Sequence, residues 1–183
     1  MLPLIPLAIF GLGGYAVWRH FNPAADTTQS VADSVSSTVE EVVQSITDLF
    51  PKAAPYSDQI KAAQDTYGIP NNYLAKLLNA ESAYRPDIIS GAKRSSTGAT
   101  GIAQFMPATA EELGVNPTDP NASIDAAGKY LSQLFEQFGS WPKAIAAYNW
   151  GSGNLSKKGV AKAPAETRNY VQKIAGVDIT QEV

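Results

Sequence analysis

The 183-residue chain has no cysteine, which excludes disulfides, thiol nucleophiles and cysteine-ligated zinc, and leaves the redox compartment unspecified. Its one histidine, His20, stands beside an apolar N-terminal run. A Ser-His-Asp triad needs its base inside the site, so neither that chemistry nor a multi-histidine metal centre is expected. A surplus of basic charge is also missing. Fourteen Lys and Arg face seventeen Asp and Glu for a net −3; before Pro51 one base meets five acids, and from Pro51 onward thirteen meet twelve. Neither part has the basic excess of a nucleic-acid binder, and Lys93-Arg94 and Lys157-Lys158 read as solvated loop. No stretch alternates apolar and polar residues long enough to dictate a strand, and no repeat is found. Carboxylates, tyrosines, lysines and amides remain to carry any chemistry, with no metal or other cofactor implied.

What is present divides into three parts. Met1 to Trp18 carries no charged side chain. As a helix it would reach roughly 27 Å, just short of a ~30 Å bilayer core. Tyr15, Trp18 and Arg19 form an aromatic and basic edge, so residues 1–20 are predicted to be a transmembrane anchor. A cleaved signal peptide would need a basic leader, which is missing, and a clear small-residue cleavage site, which "NPAAD" supplies weakly. Arg19 lies C-terminal to the span and would favour a cytoplasmic C-terminal part. Residues 21–55 read as a linker with an amphipathic helix. Val31, Val35, Val39, Val42, Ile46 and Leu49 are spaced by fours and threes, a seam suited to self-association through Val31–Phe50 or to a tether that orders in context. "PKAAP", Pro51 to Pro55, reads as a stiff hinge.

Residues 56–177 read as one mostly α domain of short helices, with 178–183 as a C-terminal tail. Ser57 is a candidate cap for a helix ended by Gly68; Pro107 starts a helix stopped by Gly114; a longer one begins at Asn121 or Ser123 and closes at Gly139; the last ends at Gly176. One residue breaks the apolar pattern. In "YLAKLLNAES", Leu74, Leu77 and Leu78 share a face, and the next position on it is Glu81. Glu81 either meets water where the stripe ends, or projects into a cleft. In a cleft, desolvation would raise its pKa toward neutrality, as suits a general acid.

The strings that follow narrow the choice. "ES" at Glu81-Ser82, "RP" at Arg85-Pro86, "GATGIAQFMPATA" from Gly98, "AAYNWG" from Ala146 and "ETRNYVQKI" from Glu166 occur in order over roughly Ser57 to Gly176. Together they resemble the soluble-lytic-transglycosylase family of peptidoglycan-cleaving enzymes. The resemblance implies a lysozyme-like fold of short helices around a glycan-binding cleft. It implies Glu81 as the single catalytic acid/base and Tyr148 as the tyrosine beside it. Ser90 matches a serine near the substrate N-acetyl group, Gln104, Met106 and Thr109 match glycan-lining positions, and Asn149 and Glu166 lie in the last two motifs. Each has a plainer alternative: Met106 as apolar filler, Tyr148 as core, Glu166 as a first-turn partner of the helix dipole.

The same resemblance implies the reaction. Glu81 protonates the oxygen between N-acetylmuramic acid and N-acetylglucosamine, the muramic N-acetyl group assists, and Glu81 then takes the C6 hydroxyl proton to close a 1,6-anhydro ring. The absence of a second motif carboxylate, apart from Asp87, fits that scheme better than a two-carboxylate glycosidase. A hydrolytic muramidase of the same fold and a non-catalytic peptidoglycan-binding protein are the rivals. An anchored bacterial envelope enzyme and a phage virion protein both fit the N-terminal part. "GAKRSST", Gly91 to Thr97, is longer than the family pattern, so Ser95 or Ser96 could replace Ser90, and the basic loop could be a flap meeting acidic stem peptides. Trp150 stands where the family more often has a small residue, and could stack on sugar or seal the core.

Overall fold

A computed structural model describes residues 23–181. The chain divides into two units, Met1–Glu41 and Val42–Val183, and the core belongs to the second. The predicted anchor, residues 1–20, lies outside the described residues. Among those described, no helix is long and apolar enough to cross a membrane.

The helices are α1 (Pro23–Leu49), α2 (Ser57–Thr66), α3 (Tyr73–Ser82), α4 (Pro86–Ile89), α5 (Pro107–Leu113), α6 (Pro120–Phe138), α7 (Trp141–Trp150), α8 (Ser152–Lys158) and α9 (Ala165–Ala175). Short 3₁₀ turns cover Pro51–Tyr56, Val160–Lys162 and Ile179–Gln181. A one-residue antiparallel bridge pairs Thr100 with Phe105. Helix α7 packs against both α6 and α9, α3 against α9, and α2 against α6.

Local chemistry explains most boundaries. Gly114, Gly139 and Gly176 end α5, α6 and α9 in the left-handed conformation that glycine adopts without a steric penalty. Helix α6 starts earlier than the expected Asn121 or Ser123. Pro120 takes the first helical position, and the Asp119 carboxylate accepts from the Asn121 and Ala122 amides at 3.0 and 3.1 Å. A proline-locked first turn with a carboxylate cap outcompetes the weaker caps downstream. Ser57 opens α2 but does not cap it; its hydroxyl donates to the Ala54 carbonyl at 3.0 Å. "PKAAP" is wound into the first 3₁₀ turn, with Ala53 fully buried, because this segment already packs on the domain.

The core joins Leu74, Leu77 and Leu78 of α3 to Ile124 and Leu131 of α6, Ile145 of α7, and Val171 and Ile174 of α9. All are sealed from solvent, and each large side chain contributes about 1.5–3 kcal/mol of transfer free energy. Ile46 is also fully buried and Val42 and Phe50 pack on this core, whereas Val35, Val39 and Leu49 are exposed. Two turns of the valine seam therefore spend their apolar surface on the domain itself. Ile179, in the stretch read as a tail, is buried as well.

Candidate active site

Glu81 occupies the last turn of α3, on the stripe of Leu74, Leu77 and Leu78. The helix stops just beyond it. Ala83 and Tyr84 are both left-handed, at φ +48° and +51°, a conformation that disfavours side-chain-bearing residues. Local hydrogen bonds offset that strain. The Ser82 hydroxyl donates to the Leu78 carbonyl and accepts from the Tyr84 amide, and the buried Tyr84 hydroxyl donates to the Ala75 carbonyl at 2.7 Å. The turn thus fixes where the Glu81 side chain leaves the helix.

That side chain is partly buried, and its Oε1 accepts a 2.5 Å hydrogen bond from the Tyr170 hydroxyl of α9. Burial pushes the carboxyl pKa up to about 7, against an opposing effect from the Tyr170 hydrogen bond, which favours the charged form. The phenols of Tyr170 and Tyr148 are both driven well above 10, first by burial and then by the Glu81 charge. They remain protonated donors throughout the range in which Glu81 titrates.

The tyrosine hydrogen-bonded to Glu81 is therefore Tyr170. Tyr148 senses the carboxylate through its charge, while its hydroxyl donates to the Ala103 carbonyl at 3.0 Å. Its ring packs between Phe105 and Tyr130, with centroids 6.2 and 5.5 Å away. Tyr148, the expected neighbour, is thus near enough to feel the Glu81 charge, and Tyr170, which was not among the expected site residues, makes the direct hydrogen bond. Tyr170 lies in "ETRNYVQKI", one turn past Glu166 on the same helix, and its meeting with Glu81 comes from the packing of α9 on α3.

A cavity of about 260 Å³ brings together Gln104, Met106, Thr109, Tyr148 and Asn149 with Tyr130 and Trp150. Met106 is 42% exposed there, more consistent with a wall than with core filler. Gln104 is left-handed at φ +49°, and its amide donates to the Gly101 carbonyl at 2.9 Å. Asn149 accepts from the Thr167 hydroxyl at 2.8 Å, which ties α7 to α9. Trp150 lines the cavity, and the Lys158 ammonium lies 5.3 Å from its ring centroid. Gly101, which accepts from Gln104, is itself pressed against the 116–118 segment: a Cβ there would come within 1.7 Å of the Pro117 carbonyl oxygen.

Glu166 belongs elsewhere. With Ala80, Asn169, Tyr170 and Lys173 it lines a separate cavity of about 500 Å³, on which Tyr170 is the link to Glu81. Ser90 is in neither cavity. It is exposed at the end of α4, with its hydroxyl 3.4 Å from the Asp87 carbonyl. Asp87 is held below the usual carboxylate range, chiefly by its hydrogen bonds with Arg85 at 2.6 and 3.2 Å, and is thus kept as a partner of that guanidinium. Among the described residues, no cluster of three or more His, Asp or Glu is placed to hold a metal ion.

The matched family is the Transglycosylase SLT domain, over residues 58–171. The chain is 34% identical over 149 residues to the peptidoglycan transglycosylase gp16 of Escherichia phage T7, covering 71% of this chain and 11% of that protein. It is 31% identical over 123 residues to the transglycosylase of Enterobacteria phage PRD1, covering 67% and 42%. It is 30% identical over 154 residues to the soluble lytic murein transglycosylase of Escherichia coli K12, covering 70% and 23%. Among solved structures, an inactive Glu-to-Gln mutant of lytic transglycosylase Slt from Pseudomonas aeruginosa superimposes with a TM-score of 0.56 at 27% identity, covering 73% of this chain and 25% of that one. The chain thus spans less than half the length of each of these relatives.

Proposed function

The chain belongs to the transglycosylase SLT domain family, and on that premise we propose that it is a peptidoglycan lytic transglycosylase with Glu81 as its single acid/base. The observation that carries this reading is the Glu81 carboxyl, desolvated to a pKa of about 7 and held by the Tyr170 hydroxyl. An acid of that strength keeps its proton near neutral pH and gives it up to a developing alkoxide.

In the proposed reaction Glu81 protonates the β-1,4 glycosidic oxygen between N-acetylmuramic acid and N-acetylglucosamine. The C1–O bond breaks with help from the muramic N-acetyl oxygen. Ionised Glu81 then removes the C6 hydroxyl proton as that oxygen attacks C1, leaving a 1,6-anhydromuramic end and restoring the acid. Tyr170 holds the carboxyl through both steps, and Gln104, Met106, Thr109, Tyr148 and Asn149 form the glycan wall, where correct placement converts binding into rate. Glu166 and Ser90 lie off that wall, so any contact they make is with more distant parts of the polymer.

That two relatives come from phages T7 and PRD1 favours a phage protein over a bacterial envelope enzyme, and the uncharged run Met1–Trp18 is what supports residues 1–20 as a membrane anchor. Exposed Val35 and Val39 leave part of the α1 seam available for self-association.

Digestion of purified sacculi by the full chain, followed by mass spectrometry, tests the reaction. Anhydromuramic ends are expected, and reducing muramic ends would overturn it in favour of hydrolysis. Glu81→Gln should lower cleavage by at least about a thousandfold while sacculus binding persists.

A further inference from the structure

The segment Gly91–Thr97 is tied to its surroundings by hydrogen bonds of its own. The Ser95 hydroxyl accepts from the Ala99 amide at 2.8 Å and pairs with the Thr97 hydroxyl at 2.9 Å, and the Lys93 amide donates to the Asp87 carbonyl at 2.8 Å. At Gly91, φ +74°, a Cβ would come within 2.9 Å of the Thr118 methyl and 3.1 Å of that of Thr100, so the loop base is seated on the 116–118 segment.

Between these two segments lies a cavity of about 390 Å³ outside the glycan wall. Phe105, Pro107, Ala110 and Pro117 give it an apolar floor, and Arg94 and Asn116 supply polar groups. The Asn116 side-chain oxygen is taken by the Thr118 amide and hydroxyl, at 3.1 and 2.9 Å, so what Asn116 can offer a ligand is its NH₂. Among the described residues, the Arg94 guanidinium has no carboxylate partner. A fixed apolar floor with two sets of N–H donors, one cationic, suits a small carboxylate-bearing group. Phe105 lines this cavity and the glycan cavity alike, and Met106 and Pro107 fall one on each side.

We propose that this cavity binds the peptide substituent of the glycan through one of its free carboxylates, with Arg94 as the anchoring cation. The inference rests on the transglycosylase reading for the identity of the polymer. It makes the Gly91–Thr97 segment a specificity element for peptide-bearing over bare glycan.

The test uses the full chain and Arg94→Ala on intact sacculi and on glycan stripped of its peptides by an amidase. Loss of an exposed charge pair should raise KM about fivefold on the peptide-bearing polymer, leaving kcat on both polymers and KM on stripped glycan unchanged. Arg94→Lys should recover part of the loss. An equal shift on both polymers, or none on sacculi, overturns the proposal. Calorimetric titration of the soluble amidase-released peptide reads the cavity without catalysis. Arg94-dependent binding by a chain that cleaves nothing would leave the cavity standing and remove the enzymatic reading, whereas absent binding with normal cleavage would remove only the cavity.

Discussion

Replacing Glu81 with glutamine removes a titration while keeping the shape of the site, since the amide oxygen can still accept from Tyr170. In the folded chain burial raises the carboxyl from 4.5 to about 7. A folded-state value above the unfolded one means that the folded form holds the proton more tightly. Wild-type stability from this group is therefore fully present below about pH 4.5, declines as the pH rises through about 7, and is flat above it. At about 1.4 kcal/mol per factor of ten in proton affinity, the decline amounts to about 3 kcal/mol. Glu81→Gln has no such slope from position 81. Urea unfolding of both proteins, followed by circular dichroism at about pH 4 and about pH 8, reads the difference. The variant should gain about 3 kcal/mol on the wild type between the two conditions. Parallel stability curves would refute the desolvated carboxyl, because an exposed glutamate would titrate alike in both states.

Two other outcomes bear on the same geometry. Tyr170→Phe removes a hydrogen bond that favours ionised Glu81, so the alkaline fall of the cleavage rate should move to higher pH, with a rate loss on the order of ten- to a hundredfold; an unmoved limb in the pH–rate profile would contradict the pairing. Gly101→Ala places a Cβ 1.7 Å from the Pro117 carbonyl oxygen at φ +83°, and should cost about 3 kcal/mol or more in thermal unfolding, against which a loss below about 1 kcal/mol would count.

The fold was legible where single residues decide an outcome. Gly114, Gly139 and Gly176 each allow a left-handed helix end, and Pro107 opens α5 as its position predicts. The start of α6 was not, because Asp119 had to be weighed with Pro120 against Asn121 and Ser123 as competing caps. The valine seam of α1 was visible as a spacing, but spacing does not name the partner, and Val42 and Ile46 found theirs in the chain's own core. In the site, Glu81 announced itself by interrupting a leucine stripe. Tyr170 did not, since the meeting of α9 with α3 is a tertiary event that no local period encodes. Ser90 sits exposed at the end of α4 and lines neither cavity, a placement that its distance along the chain from Glu81 does not encode.

The polar groups of the cavity proposed to hold the glycan are already partly committed. The Tyr148 hydroxyl donates to the Ala103 carbonyl, and the Asn149 side-chain oxygen accepts from the Thr167 hydroxyl. What Tyr148 has left for an incoming molecule is lone pairs, and Asn149 retains its NH₂ and one lone pair on its oxygen. A sugar hydroxyl can satisfy either, but an acetamide, with its N–H and C=O at opposite ends, matches that order only one way round.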